Sequence, residues 1–150
     1  MARTPERWVT QRYTLTLALA MEALNAALDK AAQLHVKVSL VVVDHSGLAI
    51  HSAHMDGATR QAQAIALNKA ATAAGFGIAT NAWSTRLQRC SPAVQQGLPL
   101  QSGMALFGGG EPLRHAGQVI GAIGVSGASE NQDADCARAA AVHVQALLGE

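Results

Sequence analysis

The segment that most constrains the fold is residues 119–125, VIGAIGV, in which every position is apolar or glycine. A strand without a polar position has no side that suits water, so it belongs in the interior of a sheet rather than at its edge. Gly121 and Gly124 carry no side chain and therefore allow a helix or a ligand to approach the backbone closely. The segment predicts a central strand.

The first half of the chain predicts one helix and one hairpin. Apolar side chains recur at steps of three and four between residues 13 and 34, which is the pattern of an amphipathic helix. Residues 36–43 are rich in valine, and residues 48–55 follow after the turn sequence DHSG. These two segments predict paired antiparallel strands.

The second half alternates between helical and extended patterns. Alanine-rich residues 59–77 predict a helix that stops at Gly75 and Gly77, and Ser129 with Gln132 forms a capping box for a final helix to Leu148. The other predicted elements are a short helix over 81–89, a loop over 91–103, a strand over 104–107 and a hairpin that turns at Ala116-Gly117.

This order, α-β-β-α-α-β-β-β-α, predicts an α+β fold with a five-stranded antiparallel sheet between helices. The 150 residues fit a single domain over 1–150, with residues 1–12 as a flexible or interface segment. A net charge of +1 and 3% aromatic residues argue against a nucleic-acid partner. No apolar run is long enough to span a membrane and the N-terminus lacks a secretory signal, so we expect a cytoplasmic protein without a membrane partner.

The glycine run GGGEPL at residues 108–113 indicates that something approaches the backbone closely. It does not fit a phosphate-binding loop, because Glu111 places a negative charge where the anion would lie and Pro112 removes a backbone donor. Metal binding is not indicated either, since His51 and His54 are three apart in a strand and point to opposite faces. Of the histidines, His54 and His115 stay candidates because they adjoin glycine-flanked segments.

Charged residues near the element ends predict a small-molecule pocket. Asp56 and Glu111 fall in or beside turns, where ligand sites concentrate. Lys69 is the only lysine of its alanine-rich helix and lies near the apolar stripe, so it either reaches water or pairs with a carboxylate. For each residue alone, a cap or a solvated salt bridge is the better explanation. Together with the glycines they favour a pocket.

Three blocks of the sequence, taken in order, resemble the GlcG/HbpS family, which also supplies the C-terminal domain of PduO-type adenosyltransferases. The blocks are VVVDHSGLAIHSAHMDGA, ALNKAATAAGFGIAT and LFGGGEPLRHAGQVIGAIGVSGASENQD. The resemblance implies a profilin-like α/β/α sandwich, homo-oligomers, heme binding in several members and roles accessory to catabolic pathways. It also implies that the glycines form one wall of a pocket, with Glu111 at the edge of that pocket.

The resemblance carries over residue by residue onto the matched positions. One departure is His54, which stands where the family often has arginine, a residue that would suit a carboxylate or a propionate. The matched candidates for ligand binding are Met55, Thr72, Thr80, Gly109 and Gly110, and the sequence itself adds Arg60 and His115.

The sequence leaves three candidate functions. The first is heme binding, with His54, Met55 or His115 as axial ligand and Arg60, Arg86 or Arg114 near the propionates. The second is a cofactor-independent enzyme for a small carbonyl or carboxylate metabolite. There Lys69 would polarise the substrate, and Glu111, Asp56 or His54 would move a proton. The third is an oligomeric accessory subunit without chemistry. The resemblance places binding first.

Overall fold

The computed structural model describes residues 5–150. Of the N-terminal segment 1–12, residues 1–4 therefore lie outside the described chain, and residues 5–12 are exposed and include one short 3-10 turn. The helices are α1 (Leu17–Gln33), α2 (Ala62–Phe76), α3 (Trp83–Gln88), α4 (Pro92–Gly97) and α5 (Glu130–Leu148). The strands are β1 (Ser39–Asp44), β2 (Ala49–His54), β3 (Gly110–His115) and β4 (Gln118–Ser126).

The strands form one antiparallel sheet in the order β2-β1-β4-β3. The α+β fold, the antiparallel sheet and the interior position of residues 119–125 are confirmed. The prediction of five strands is wrong, because residues 104–107 do not form a strand. Instead, the N–H of Ala105 donates to the Thr72 hydroxyl at 3.1 Å, and that hydroxyl donates to the carbonyl of Gly103 at 3.3 Å. A helix side chain thus satisfies backbone groups that a sheet ladder would otherwise use.

Successive side chains of a strand point to opposite faces of the sheet. Both faces of this sheet carry apolar side chains, and helices cover each of them. Leu40, Val42 and Ile123 point to the face covered by α1 and α5. Val41 and Val43 point to the opposite face, where they pack against the alanines of α2. Between residues 5 and 150, none of the helices combines the length and apolar character needed to span a membrane.

Several predicted boundaries shift. The first helix begins at Leu17 rather than residue 13, since the Thr16 side chain caps it by accepting the N–H of Leu19 at 3.2 Å. The predicted loop over 91–103 contains α4 and a 3-10 turn. The turn at Ala116-Gly117 is confirmed by positive φ angles of 50° and 74°, and the capping box at the start of α5 is also present.

Gly124 sets how closely α2 approaches the sheet. A Cβ at this position would lie 1.9 Å from the carbonyl oxygen of Ala66 and 2.7 Å from the nitrogen of Ala70, both in the α2 backbone. Backbone atoms cannot turn aside as a flexible side chain can, so any side chain here pushes the helix off the sheet. The sequence predicts that a helix or a ligand approaches the backbone of Gly124, and in the structure it is helix α2 that does so.

We expect Gly124→Ala to lower the free energy of unfolding by about 1–3 kcal/mol, as overpacked cores do. Gly75→Ala is the matched control. It lies on α2 with nothing within 4 Å of an added Cβ, so it should be neutral or stabilising. Urea unfolding of both variants measures the difference. Equal stability of Gly124→Ala and the native chain would contradict this packing.

Candidate functional site

The predicted site residues fall in three separate places. Those of the lysine cluster lie on α2, on the 3-10 turn that follows it, or on the glycine run that packs against Lys69: Lys69, Thr72, Thr80, Gly109 and Gly110. Those of the β2 end lie in or just after the second strand: His54, Met55, Asp56 and Arg60. The last two, Glu111 and His115, lie on the edge strand β3.

The amine of Lys69 is enclosed, with 1% of the residue exposed. Its Nζ donates to the carbonyl of Val125 at 2.9 Å and to Asp133 Oδ2 at 3.0 Å, and it lies 4.9 Å from the centre of the Phe107 ring. Burial lowers the pKa of the Lys69 amine, and the attraction of Asp133 opposes that shift. The side chain joins α2 to the first turn of α5 across the end of the sheet.

Two glycines of the run pack against Lys69. A Cβ on Gly109, whose φ is +129°, would lie 2.3 Å from the carbonyl oxygen of Val125 and 2.7 Å from Lys69 Nζ. A Cβ on Gly110 would lie 2.4 Å from the carbonyl oxygen of Lys69, and its N–H donates to the Thr80 hydroxyl at 2.8 Å. The glycines therefore pack against protein atoms.

Glu111 lies apart from the residues of the β2 end. Burial raises the pKa of its carboxyl group, and the positive charges of Arg138 and Arg114 partly offset this shift. It belongs to β3 and His54 belongs to β2, at opposite edges of the sheet. Three strand spacings separate the two edges, about 14 Å. One small substrate cannot contact both side chains.

At the β2 end, His54 lines a groove of about 360 Å³ with Ser52, Gln63 and Leu67. Its Nε2 lies 3.1 Å from the carbonyl oxygen of Ala58. The neighbouring Met55 turns inward, and its sulfur accepts the N–H of Val38 at 3.4 Å. Asp56 and Arg60 are exposed.

His115 lines a second groove, of about 430 Å³, between the N-terminal segment, α1, β4 and the end of α5. The His115 ring meets the Tyr13 ring edge-on with centroids 5.0 Å apart. Its wall also includes Glu22 and is otherwise mainly aliphatic: Leu15, Ala18, Leu19, Ile120 and Leu148.

The carboxylate of Glu150 lies beside the His115 ring. Nδ1 lies 2.8 Å from Glu150 Oε1, and the ring is about one-third exposed, at 34%. The contact does not have the geometry of a hydrogen bond, and Nδ1 has no hydrogen-bond partner among the described residues. The groove thus joins an aliphatic wall to an imidazole.

Sequence patterns missed three residues in or beside this groove. Tyr13 is the single tyrosine of the chain and lies just before α1. Arg12 adjoins it and donates to the carbonyl of Val119 at 3.2 Å. Glu150 reaches His115 only because α5 returns to the β3–β4 turn, and no local motif signals such a contact. Within residues 5–150, no group of three or more His, Cys, Asp or Glu side chains is arranged to hold a metal ion.

The chain is similar in sequence to known proteins. A family model described as "Haem degrading protein HbpS-like" matches residues 15–142. A 15.0 kDa protein from the dhaT-dhaS intergenic region of Citrobacter freundii is 38% identical over 120 residues, covering 80% of this chain and 84% of that protein.

Two solved structures share the fold. A double mutant of Streptomyces reticuli HbpS has a TM-score of 0.82 at 34% identity, covering all of this chain and 96% of the other. A PduOC:heme complex has a TM-score of 0.78 at 32% identity, covering 87% of this chain and 94% of the other.

Proposed function

The chain belongs to the HbpS-like family, and from that premise we propose that it binds heme in the His115 groove. The observation that carries the proposal is the partly exposed imidazole of His115 at the wall of an aliphatic groove, with Glu150 Oε1 2.8 Å from its Nδ1. A histidine that binds a metal usually donates its second ring N–H to a nearby carboxylate or carbonyl, and Glu150 is within reach for that role. The heme-bound PduOC structure supports the choice of ligand.

The groove offers two of the features that heme needs, an apolar wall and a histidine. Heme needs an apolar slot, an axial side chain and a cation near its propionates. The volume of about 430 Å³ falls within the range of small-molecule sites, about 300–1,000 Å³. His115 Nε2 would bind the iron, and Arg12, which lines an adjoining groove with Tyr13, is the candidate cation for a propionate. Bound heme would supply an iron able to exchange electrons or activate oxygen.

The other axial candidates fit less well. His54 lines the smaller groove, whose wall includes the polar side chains of Ser39, Ser52 and Gln63. The Met55 sulfur already accepts a hydrogen bond inside the protein.

The enzyme alternative requires Lys69 to share a pocket with Glu111, Asp56 or His54. The Lys69 amine is buried and already bonded to Asp133 and to the carbonyl of Val125, so the geometry favours binding over catalysis at this residue. A profilin-like arrangement, a single domain over 1–150, self-association, a cytoplasmic location and an accessory role in catabolism stay predictions.

Absorption titration of the native protein with hemin tests the proposal. We expect saturable binding of one hemin per chain with a sharpened and shifted Soret band, because a nitrogen ligand replaces water on the iron. Gradual binding that never saturates, and that bovine serum albumin removes completely, would contradict a specific site.

A further inference from the structure

Helix α5 carries apolar side chains on two of its sides. Its inner side is buried against the sheet and α1, through Cys136, Ala137, Ala140 and Val144. Its outer side carries Ala139, Val142 and Ala146 at steps of three and four, and Val142 is 54% exposed. A helix that covers a sheet needs only one apolar side, so a second one indicates a further packing partner.

The outer side of α5 forms one wall of a groove with α1. The two helices run in opposite directions, since Glu22 early in α1 lies 2.9 Å from His143 late in α5. Lys30, near the end of α1, completes the groove, whose volume is about 630 Å³. A groove between two helices on the outer surface is the shape into which the side-chain ridge of another helix packs.

The charges on this groove have both signs and no ion-pair partner inside the described chain. Lys30 and Arg138 are positive, and Asp135 is negative. None of the ion pairs formed within residues 5–150 includes any of these three groups. A two-fold contact puts the same surface on both sides. A surface with both signs can then meet opposite charges on its copy, whereas a surface with one sign would repel its copy.

We infer that this groove is a contact between two copies of the chain, with α5 of each copy seated against the groove of the other. Val142 supplies the apolar centre, and Ala139 and Ala146 are small enough to let the helices approach closely. Asp135 of each copy meets the positive charges of the other copy's groove. The inference does not depend on the proposed heme site, because the two grooves share no lining residue.

Sedimentation velocity of the heme-free protein over a range of concentrations tests the contact. The native chain should sediment as a dimer, or as an assembly built from dimers. Val142→Glu should raise the dissociation constant of the dimer at least about tenfold, because the two-fold axis places two carboxylates in one apolar contact. Val94→Glu changes another exposed helical valine, on α4, and is the matched control that should associate like the native chain. A native chain that stays monomeric, or a Val142→Glu variant that associates like the native chain, would overturn the inference.

Charge reversal gives a second readout, which a merely destabilised fold would not produce. Asp135→Lys leaves only positive charges beside Val142, so two copies should repel and association should weaken. Adding Lys30→Glu restores a negative charge to the groove and should recover most of the association. Urea unfolding of each variant shows that the fold is kept, since both side chains lie at the surface groove. If the double variant associates no better than Asp135→Lys, the charges do not pair between copies and the inference fails.

Discussion

Lys69→Met should lower the free energy of unfolding by about 3–5 kcal/mol, the usual cost of removing one partner from a buried ion pair. The substitution keeps the length and apolar stem of the side chain but removes the amine. Asp133, whose side chain is 4% exposed, would then be buried without a positive charge, and the carbonyl of Val125 would lose a donor. Chemical denaturation of the heme-free protein measures the effect.

Two variants show whether the ion pair is the cause. Lys37→Met removes an exposed lysine and should change stability by no more than about 0.5 kcal/mol. In the double variant Lys69→Met with Asp133→Asn, the cost should be smaller than the sum of the two single costs, because no uncompensated charge is left buried. If Lys69→Met proves as stable as Lys37→Met, the amine does not hold the helices together.

The role of Lys69 shows where sequence patterns stop being informative. Its place near the apolar stripe of α2 predicts either a route to water or a carboxylate partner, and Asp133 is that partner. The pattern could not show that the amine is enclosed. That depends on Gly109 and Phe107, which are far away in sequence and close in space.

The regular elements were largely predictable because their signals are local. Residues 119–125 have no side suited to water, and β4 is accordingly an interior strand. The predicted fifth strand at 104–107 failed for a non-local reason, because Thr72 on α2 satisfies the backbone of Ala105 and Gly103.

The candidate site was less predictable than the fold. His115 was recognised through its neighbouring glycines, but Tyr13 and Glu150 come from the opposite ends of the described chain. Only the packing of the N-terminal segment and α5 against β4 and its turn places them at one groove. The sequence pattern also grouped His54 with Glu111, which the strand order separates.

The second large effect is expected for His115→Ala, which should weaken hemin binding by about 10- to 100-fold, or roughly 1.4–2.7 kcal/mol. The ring is partly exposed and lies next to a turn, so its loss should leave the fold intact. His54→Ala is the matched control, since it removes another exposed strand histidine from the other groove.

Parallel hemin titrations of the native chain, His115→Ala and His54→Ala test the central claim most directly. The heme site at the His115 groove predicts that His115→Ala alone loses the sharp Soret band and the tight phase of binding, while His54→Ala titrates like the native chain. The opposite pattern, with binding lost in His54→Ala and kept in His115→Ala, would contradict it and move the site to the β2 end.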